Sequence, residues 1–253
     1  FAGYASPDGQ YAGLVNQDEA DGTRLTLWNT ADGGESWTPT ELDCSGWLAQ
    51  MAEKYDWAGR SAGEEGQAQM IPNHYQFVNP KIGYLVVYGQ YRYGIPYARD
   101  TLEGDLMILQ TTDGGANWQV KYTGDGSDMA QVGDRVGVHS CRPFFFLNEK
   151  TGYLCYHGPA ETGEHFLLLR TTDGGAGWER VDLTAVEERL PEEMGLPLHV
   201  CGAWGLGFEP ARELMDLDRP GSMVLSTPNV VTGYRGFLYT HDFGESWQWI
   251  ERK

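Results

Sequence analysis

The chain has 253 residues, 41% hydrophobic and 21% charged, long enough to bury a sizeable core and too apolar for a disordered chain. Thirty-four glycines and 13% aromatics favour strands and turns over helical bundles. A formal charge of −18 and a pI near 4.6 exclude nucleic acid and anionic lipid as general partners, and leave cations, basic partners and neutral glycans.

In chain order, strand-like runs over Arg24–Trp28, Asp105–Gln110, His165–Arg170 and Gly236–Tyr239 each lead into the same short motif. The motif reads Thr-x-Asp-x-Gly-x-x-Trp and occurs as Thr30–Trp37, Thr111–Trp118, Thr171–Trp178 and Thr240–Trp247. Its aspartates, Asp32, Asp113, Asp173 and Asp242, are 81, 60 and 69 residues apart, periods that indicate repeated supersecondary units. Gln119–Tyr122 and Glu179–Leu183 continue as strands after the motif, so each copy is a hairpin. A second hairpin lies upstream in two units, where Phe77-Val-Asn79-Pro-Lys-Ile-Gly83-Tyr84 matches Phe146-Leu-Asn148-Glu-Lys-Thr-Gly152-Tyr153. Ser6–Gly9 and Arg219–Gly221 are looser versions. Four strands per unit is the plan of a propeller blade.

In the motif, the Asp carboxylate suits turn backbone N–H groups, Gly supplies a positive φ, and Trp37, Trp118, Trp178 and Trp247 are expected to fill the gaps between neighbouring sheets. The role is therefore structural. Asn117 and Gly177 replace the hydroxyl residue before the Trp and are expected to weaken their turns.

These residues resemble the Asp-box, or bacterial neuraminidase repeat, of sialidases, sortilin-type receptors and several glycoside hydrolases. The fuller unit is most similar to propellers of the photosystem-assembly-factor kind. The resemblance implies an all-β chain: one small propeller domain with four four-stranded blades at about 1–42, 67–123, 136–183 and 198–253, with room in the parse for a fifth. Residues 43–66 read as a partly helical insertion, because Leu48–Asp56 has helix-forming composition. By that resemblance the Asp turns lie on one face of the propeller, and ligands bind on the other. There the long connections 43–66, 89–104 and 184–197 gather, and long loops on a rigid scaffold carry function.

The connection 89–104 is rich in rings and guanidinium groups: Tyr91, Arg92, Tyr93, Tyr97 and Arg99, with Trp57 added by the insertion. Such rings stack on sugars or on a partner's apolar surface, or else anchor the loops; Arg forks hold carboxylates. Arg92-Tyr-Gly-Ile-Pro96 echoes the Arg-Ile-Pro motif of sialidases, with two residues intervening and on the wrong side of the first Asp box. Sialidases have six blades, an arginine triad, a Tyr nucleophile with a Glu, and an acid Asp, more than this length accommodates. Asp100, Glu103, Glu161 and Glu164 are carboxylates on the same face, where two about 5–9.5 Å apart would suit another glycosidase.

His139, Cys141, His199 and Cys201 fall on two expected inner strands as His-x-Cys pairs, with each pair on one strand face. Zinc ligation, a Cys141–Cys201 disulfide and plain core packing are the three readings. Glu187–Glu193 reads as a solvated acidic face. No phosphate-loop pattern is present, and no cofactor is expected. The expectation is a secreted or cell-surface propeller that binds a glycan or a protein on its loop face. The alternative is a glycoside hydrolase or lyase acting on a polysaccharide in the same cleft.

Overall fold

The computed structural model describes residues 2–6, 9–18, 21–95, 98–124, 141–156, 167–182, 209–210, 223–228, 235–242 and 245–251. It comprises two compact units, Phe1–Gly126 and Ser127–Lys253. Among the described residues the architecture is all-β, with four antiparallel four-stranded sheets and two short helices.

In the N-terminal unit the first sheet contains β1 (Ala2–Ala5), β2 (Ala12–Gln17), β3 (Arg24–Thr30) and β4 (Thr38–Asp43), side by side in that order. The second contains β5 (Gly66–Phe77), β6 (Gly83–Ile95), β7 (Ala98–Thr111) and β8 (Gln119–Gly124). Between them in sequence lie α1 (Ser45–Lys54) and α2 (Trp57–Arg60), so the segment expected to be partly helical is so. Val15, Leu25 and Leu27 alternate on one face of the first sheet and meet Met70, Tyr75, Phe77, Leu85 and Leu109 of the second. Gly13 of β2 is the seat of the Tyr75 ring: a Cβ there would stand 2.2 Å from a ring carbon. The Tyr75 hydroxyl donates to Asn29 Oδ1 across the same interface, and burial pushes it above the usual phenol range. The Met70 N–H donates to Gly22 O at 2.9 Å, tying β5 to the β2–β3 turn. The second sheet's other face, with Tyr84, Val86, Leu106 and Ile108, is buried as well.

The helices follow from local chemistry. Asp43 accepts from the Ser45 N–H at 2.9 Å where α1 starts, and Leu48 and Met51, three apart, form its buried stripe. Asp56 adopts φ 48°, ψ 51°, which breaks the helical path, and its side chain then caps α2 through the Gly59 N–H.

In the C-terminal unit one sheet runs β9 (Cys141–Phe146), β10 (Gly152–Tyr156), β11 (Leu167–Thr171) and β12 (Glu179–Arg180). The other runs β13 (Glu209–Pro210), β14 (Met223–Pro228), β15 (Arg235–Thr240) and β16 (Gln248–Glu251). Phe144, Phe145, Phe146, Tyr153, Leu154 and Leu169 are buried. Arg170 bonds Glu179 and Glu245, both at 2.8 Å; burial opposes its charge, and the two carboxylates outweigh that and raise its pKa.

All four repeated motifs form the same turn. The Thr hydroxyl donates to the Asp carboxylate at 2.7–2.8 Å, and that carboxylate accepts the N–H four residues on from the Thr-matched Asp at 2.9–3.0 Å. In three copies the glycine pair has φ between 74° and 96°, backbone that favours glycine. The first glycine of each pair donates to the preceding hairpin turn, at Gln10, Lys81 and Lys150 carbonyls, which locks two hairpins together.

Two expectations about these turns need correction. Asn117 does not weaken its turn, because its amide reaches Asp113 Oδ2 at 2.7 Å, as the Ser36 and Ser246 hydroxyls reach their aspartates at 2.5 and 2.6 Å. Gly177 does lack that bond, and the Ala176 N–H adds a contact to Asp173 at 3.0 Å. The tryptophans, moreover, do not all bridge sheets. Trp118 lies against Tyr75 and Phe77 of its own sheet, and Trp178 against Phe144 and Phe146 of its own. Trp247 does reach the next sheet, edge-on to Tyr153 at 5.8 Å. Trp37 is 38% exposed. The matched hairpin sequences explain the difference. Phe77 and Phe146 lie over Gly83 and Gly152, where a Cβ would stand 2.7–2.8 Å from the ring. Ala5 and Ala12 hold the corresponding register in the first sheet, so Trp37 has no ring to rest on.

Candidate binding surface

The segment 89–104, expected to be a loop, is mostly strand: the sheet itself extends as an arm in which β6 is paired with β5 out to Tyr93 and with β7 out to Ile95 and Ala98. The reason is the alternation Tyr91-Arg92-Tyr93, which is β-forming with a period of two. Tyr97 lies outside the described residues, and Arg99 is placed by its backbone alone, opposite Gly94.

A bulge sets the base of the arm. Tyr88 pairs with Leu106 and Gln90 with Glu103, so Gly104 and Asp105 together face Gly89. Neither glycine admits a side chain, since a Cβ on Gly89 would stand 2.2 Å from Met51 Sδ and one on Gly104 2.9 Å from the Trp57 ring. The two helices therefore settle into a glycine-lined seat. The bulge also turns Asp105, 8% exposed, toward α1, where it accepts from Lys54 Nζ at 2.7 Å and from the Tyr55 hydroxyl. Burial pulls the Lys54 pKa down, but the Asp105 carboxylate outweighs it and the net shift is upward. Burial first, and Asp105 second, push Tyr55 up to about 12.

Along one side of the arm runs a row of near-parallel rings. Trp57 and Tyr91 have centroids 5.9 Å apart and planes 20° apart; Tyr91 and Tyr93 are 6.0 Å and 22° apart. Trp57, expected as a ligand contact, is only 1% exposed and forms part of the core. It is the inner end of the row, and Tyr91 and Tyr93 are the half-buried outer members. The Tyr91 hydroxyl donates to Glu64 O at 3.2 Å and pins the row to the chain after α2.

Arg92 falls on the opposite side by strand alternation, paired with Gln67. Beside it Gln90 Nε2 donates to Gln69 Oε1 at 3.3 Å, and Gln69 Nε2 to Gln67 Oε1 at 3.4 Å. Sequence reading missed this amide chain, although Gln67-x-Gln69 and Gln90-x-Arg92 carry the period-two signal for it. It missed Asp105 too, because a bulge leaves no mark in an alternation pattern. The arm thus has one aromatic side, with Tyr91 and Tyr93 half-buried, and one amide-bearing side, where Gln69 and Gln90 are buried and Gln67 is half-buried.

Of the other expected residues, His139, His199 and Cys201 lie outside the described residues, as do Glu161 and Glu164; Cys141, Asp100 and Glu103 are placed by backbone alone, in β9 and β7. Among the described residues no three His, Cys, Asp or Glu side chains converge as a metal site. Cys44 is a buried free thiol, pushed up to about 12 by burial and then by Asp43.

No family model and no curated protein matches the chain. Among solved structures it is similar to a GH74 xyloglucanase from Xanthomonas campestris, at 12% identity and TM-score 0.37, covering 100% of this chain and 38% of that one. A GH93 alpha-L-arabinofuranosidase of Fusarium graminearum follows at 13% and 0.42, covering 99% and 65%. A levansucrase from Gluconacetobacter diazotrophicus follows at 10% and 0.41, covering 96% and 60%. The chain thus spans less than two thirds of each.

Proposed function

We propose that this chain is a secreted or cell-surface Asp-box propeller that binds a neutral glycan on the β6–β7 arm. The observation that supports the glycan reading is the ring row from Trp57 through Tyr91 to Tyr93. The stacked row holds the half-buried Tyr93 rigidly at its outer end, where its ring suits the flat CH face of a sugar unit. On the other side the half-buried Gln67, held by Gln69 and through it by Gln90, offers an amide for a ligand hydroxyl. Fixing both to one strand pair, braced by the helices, keeps the ordering cost of binding small. The propeller reading is supported by four sheets of one topology, by one turn repeated in each, and by the second sheet's two apolar faces.

The test is a glycan microarray run with the native chain and with Tyr93→Ala. Saturable binding to a neutral glycan, lost in Tyr93→Ala and kept in Trp37→Ala, is the expected result. Absence of binding to every glycan, or binding that survives loss of both Tyr91 and Tyr93, rejects the reading.

A further inference from the structure

The two sheets of the N-terminal unit carry the same cross-strand row at the same register, and only one of the rows is covered. In the second sheet the row is Tyr75–Leu85–Leu109–Val120, each paired with the next across β5 to β8. Its first three members are buried, in one core with Val15, Leu25 and Leu27 from the facing side of the first sheet. The matched row of the first sheet is Gly3–Leu14–Trp28–Pro39. It lies on the face turned away from the second sheet, because Leu14 and Trp28 alternate with the inward Val15 and Leu27. Leu14 is 46% and Trp28 40% exposed, where their counterparts Leu85 and Leu109 are at 0%. The strand β1 adds only Gly3 and Ala5 to this face, so its own sheet shields neither side chain. An aliphatic chain and an indole side by side on an open sheet face mark a contact surface.

The covered row shows what fits the open one: a sheet of the same repeat, turned so that the register of Leu25 and Leu27 faces it. The last sheet, taken by itself, has such a face. Measured from the shared turn Thr, Phe237 and Arg235 of β15 hold the register of Leu27 and Leu25 in β3, and Ile250, paired with Phe237, holds that of Thr40. Ile250 is 47% exposed. The two open faces also change character at the same level. One step farther from the turn, the first sheet passes from Trp28 and Pro39 to Thr26 and the exposed Glu41. At that step β15 passes from Phe237 to Arg235. The covered interface stays apolar there, with Leu25, Val87 and Met107 in its core. An acid on one open face and a base at the matched level of the other make the pair complementary in charge as well as in apolar character.

We infer that the outer face of the first sheet docks a second copy of this chain, through the Ile250-bearing face of that copy's β13–β16 sheet. The two surfaces differ, so the contact is head-to-tail, and a closed assembly uses both surfaces of every copy. The contact does not depend on glycan binding.

The experiment measures the mass of the full chain in solution by light scattering at micromolar concentration. It compares the native chain, Trp28→Glu, Ile250→Glu and an equimolar mixture of the two variants. The native chain is expected at two or more copies of 28.2 kDa. Each variant alone should be a folded monomer, since both positions are exposed and each change spoils one of the two surfaces. The mixture should return a one-to-one pair, because one variant keeps the first-sheet face and the other the last-sheet face. Leu14→Gln, a milder change on the same face as Trp28, should weaken association too. Glu41→Lys should weaken it at least about tenfold, and Arg235→Glu in the same chain should restore it. A native monomer overturns the inference, and hydroxyl-radical protection of Trp28 in that monomer would assign the cover to the chain itself. Association that survives in Ile250→Glu alone would mean that two first sheets meet face to face, and a mixture that stays monomeric would deny the head-to-tail contact; each overturns the inference as well.

Discussion

The turns at Thr30–Trp37 and Thr111–Trp118 share their Thr and Asp hydrogen bonds and have opposite fates for their tryptophans, the Trp118 indole alone donating back to its turn, at Gly115 O, 3.2 Å. Both aspartates accept a Thr hydroxyl and an N–H four residues on, at distances within 0.1 Å of each other. Trp118 nonetheless packs on Tyr75 and Phe77, and Trp37 stands exposed beside a sheet whose matched positions are Ala5 and Ala12. Turn geometry is thus written within eight residues, whereas the burial of the ring is set by a strand that lies two places away in the sheet. The Thr171–Trp178 turn agrees, since Phe146 over Gly152 restores the ring contact there.

The contrast breaks most sharply at the tryptophans. Trp118→Ala should lower stability by about 2–4 kcal/mol, and Trp37→Ala by less than about 1, by denaturant titration. Equal losses would show that the ring serves the turn and not the sheet. Next in size, Asp105→Ala removes the acceptor of Lys54 and Tyr55 and should cost about 1.5–3 kcal/mol. Its hydrogen-exchange protection should fall in α1 first, and exchange unchanged in α1 would show that the Gly89–Gly104 seat alone holds the helices.

Gly177→Ser should sharpen the comparison in the other direction. It restores the hydroxyl bond that Ser36 and Ser246 make and should raise stability by about 0.5–1.5 kcal/mol. The imagined Cβ sits 3.1 Å from Asp173 Oδ2, and the φ of Gly177 is not in the left-handed region, so the serine fits. A destabilised variant would mean that the added atoms crowd the carboxylate.

The smallest signal per residue is acid sensitivity. Side-chain donors from Ser36 and Asn117 hold Asp32 and Asp113 at about 2 against an ordinary 3.8; in Asp242 partial burial opposes the shift and Ser246 overcomes it, again to about 2. The folded pKa is depressed, so between those values the unfolded chain binds more protons. Stability is therefore full above about pH 4 and is lost as pH falls toward about 2. The thermal midpoint should decline across that window, and less so in Asp32→Asn; a flat profile would deny the turns their charged bonds.

Strand positions, the partly helical segment after β4 and the four turns were legible in the sequence, because each rests on alternation, composition or bonds between residues a few positions apart. The arm was misread as a loop although Tyr91 and Tyr93 already carried the alternation. Trp57 looked like a ligand contact because sequence shows an aromatic residue but not what lies on either side of it.

What the sequence by itself determined, then, is the repeated unit: the Thr–Asp turn, its glycine pair, and the strands that flank it. Tertiary structure decided which tryptophans are covered, where the bulge turns Asp105, and how Met51 and Trp57 settle over Gly89 and Gly104. The physical reason is range. A turn closes by hydrogen bonds four residues apart, whereas burial and aim depend on side chains that meet only after strands tens of residues apart have paired.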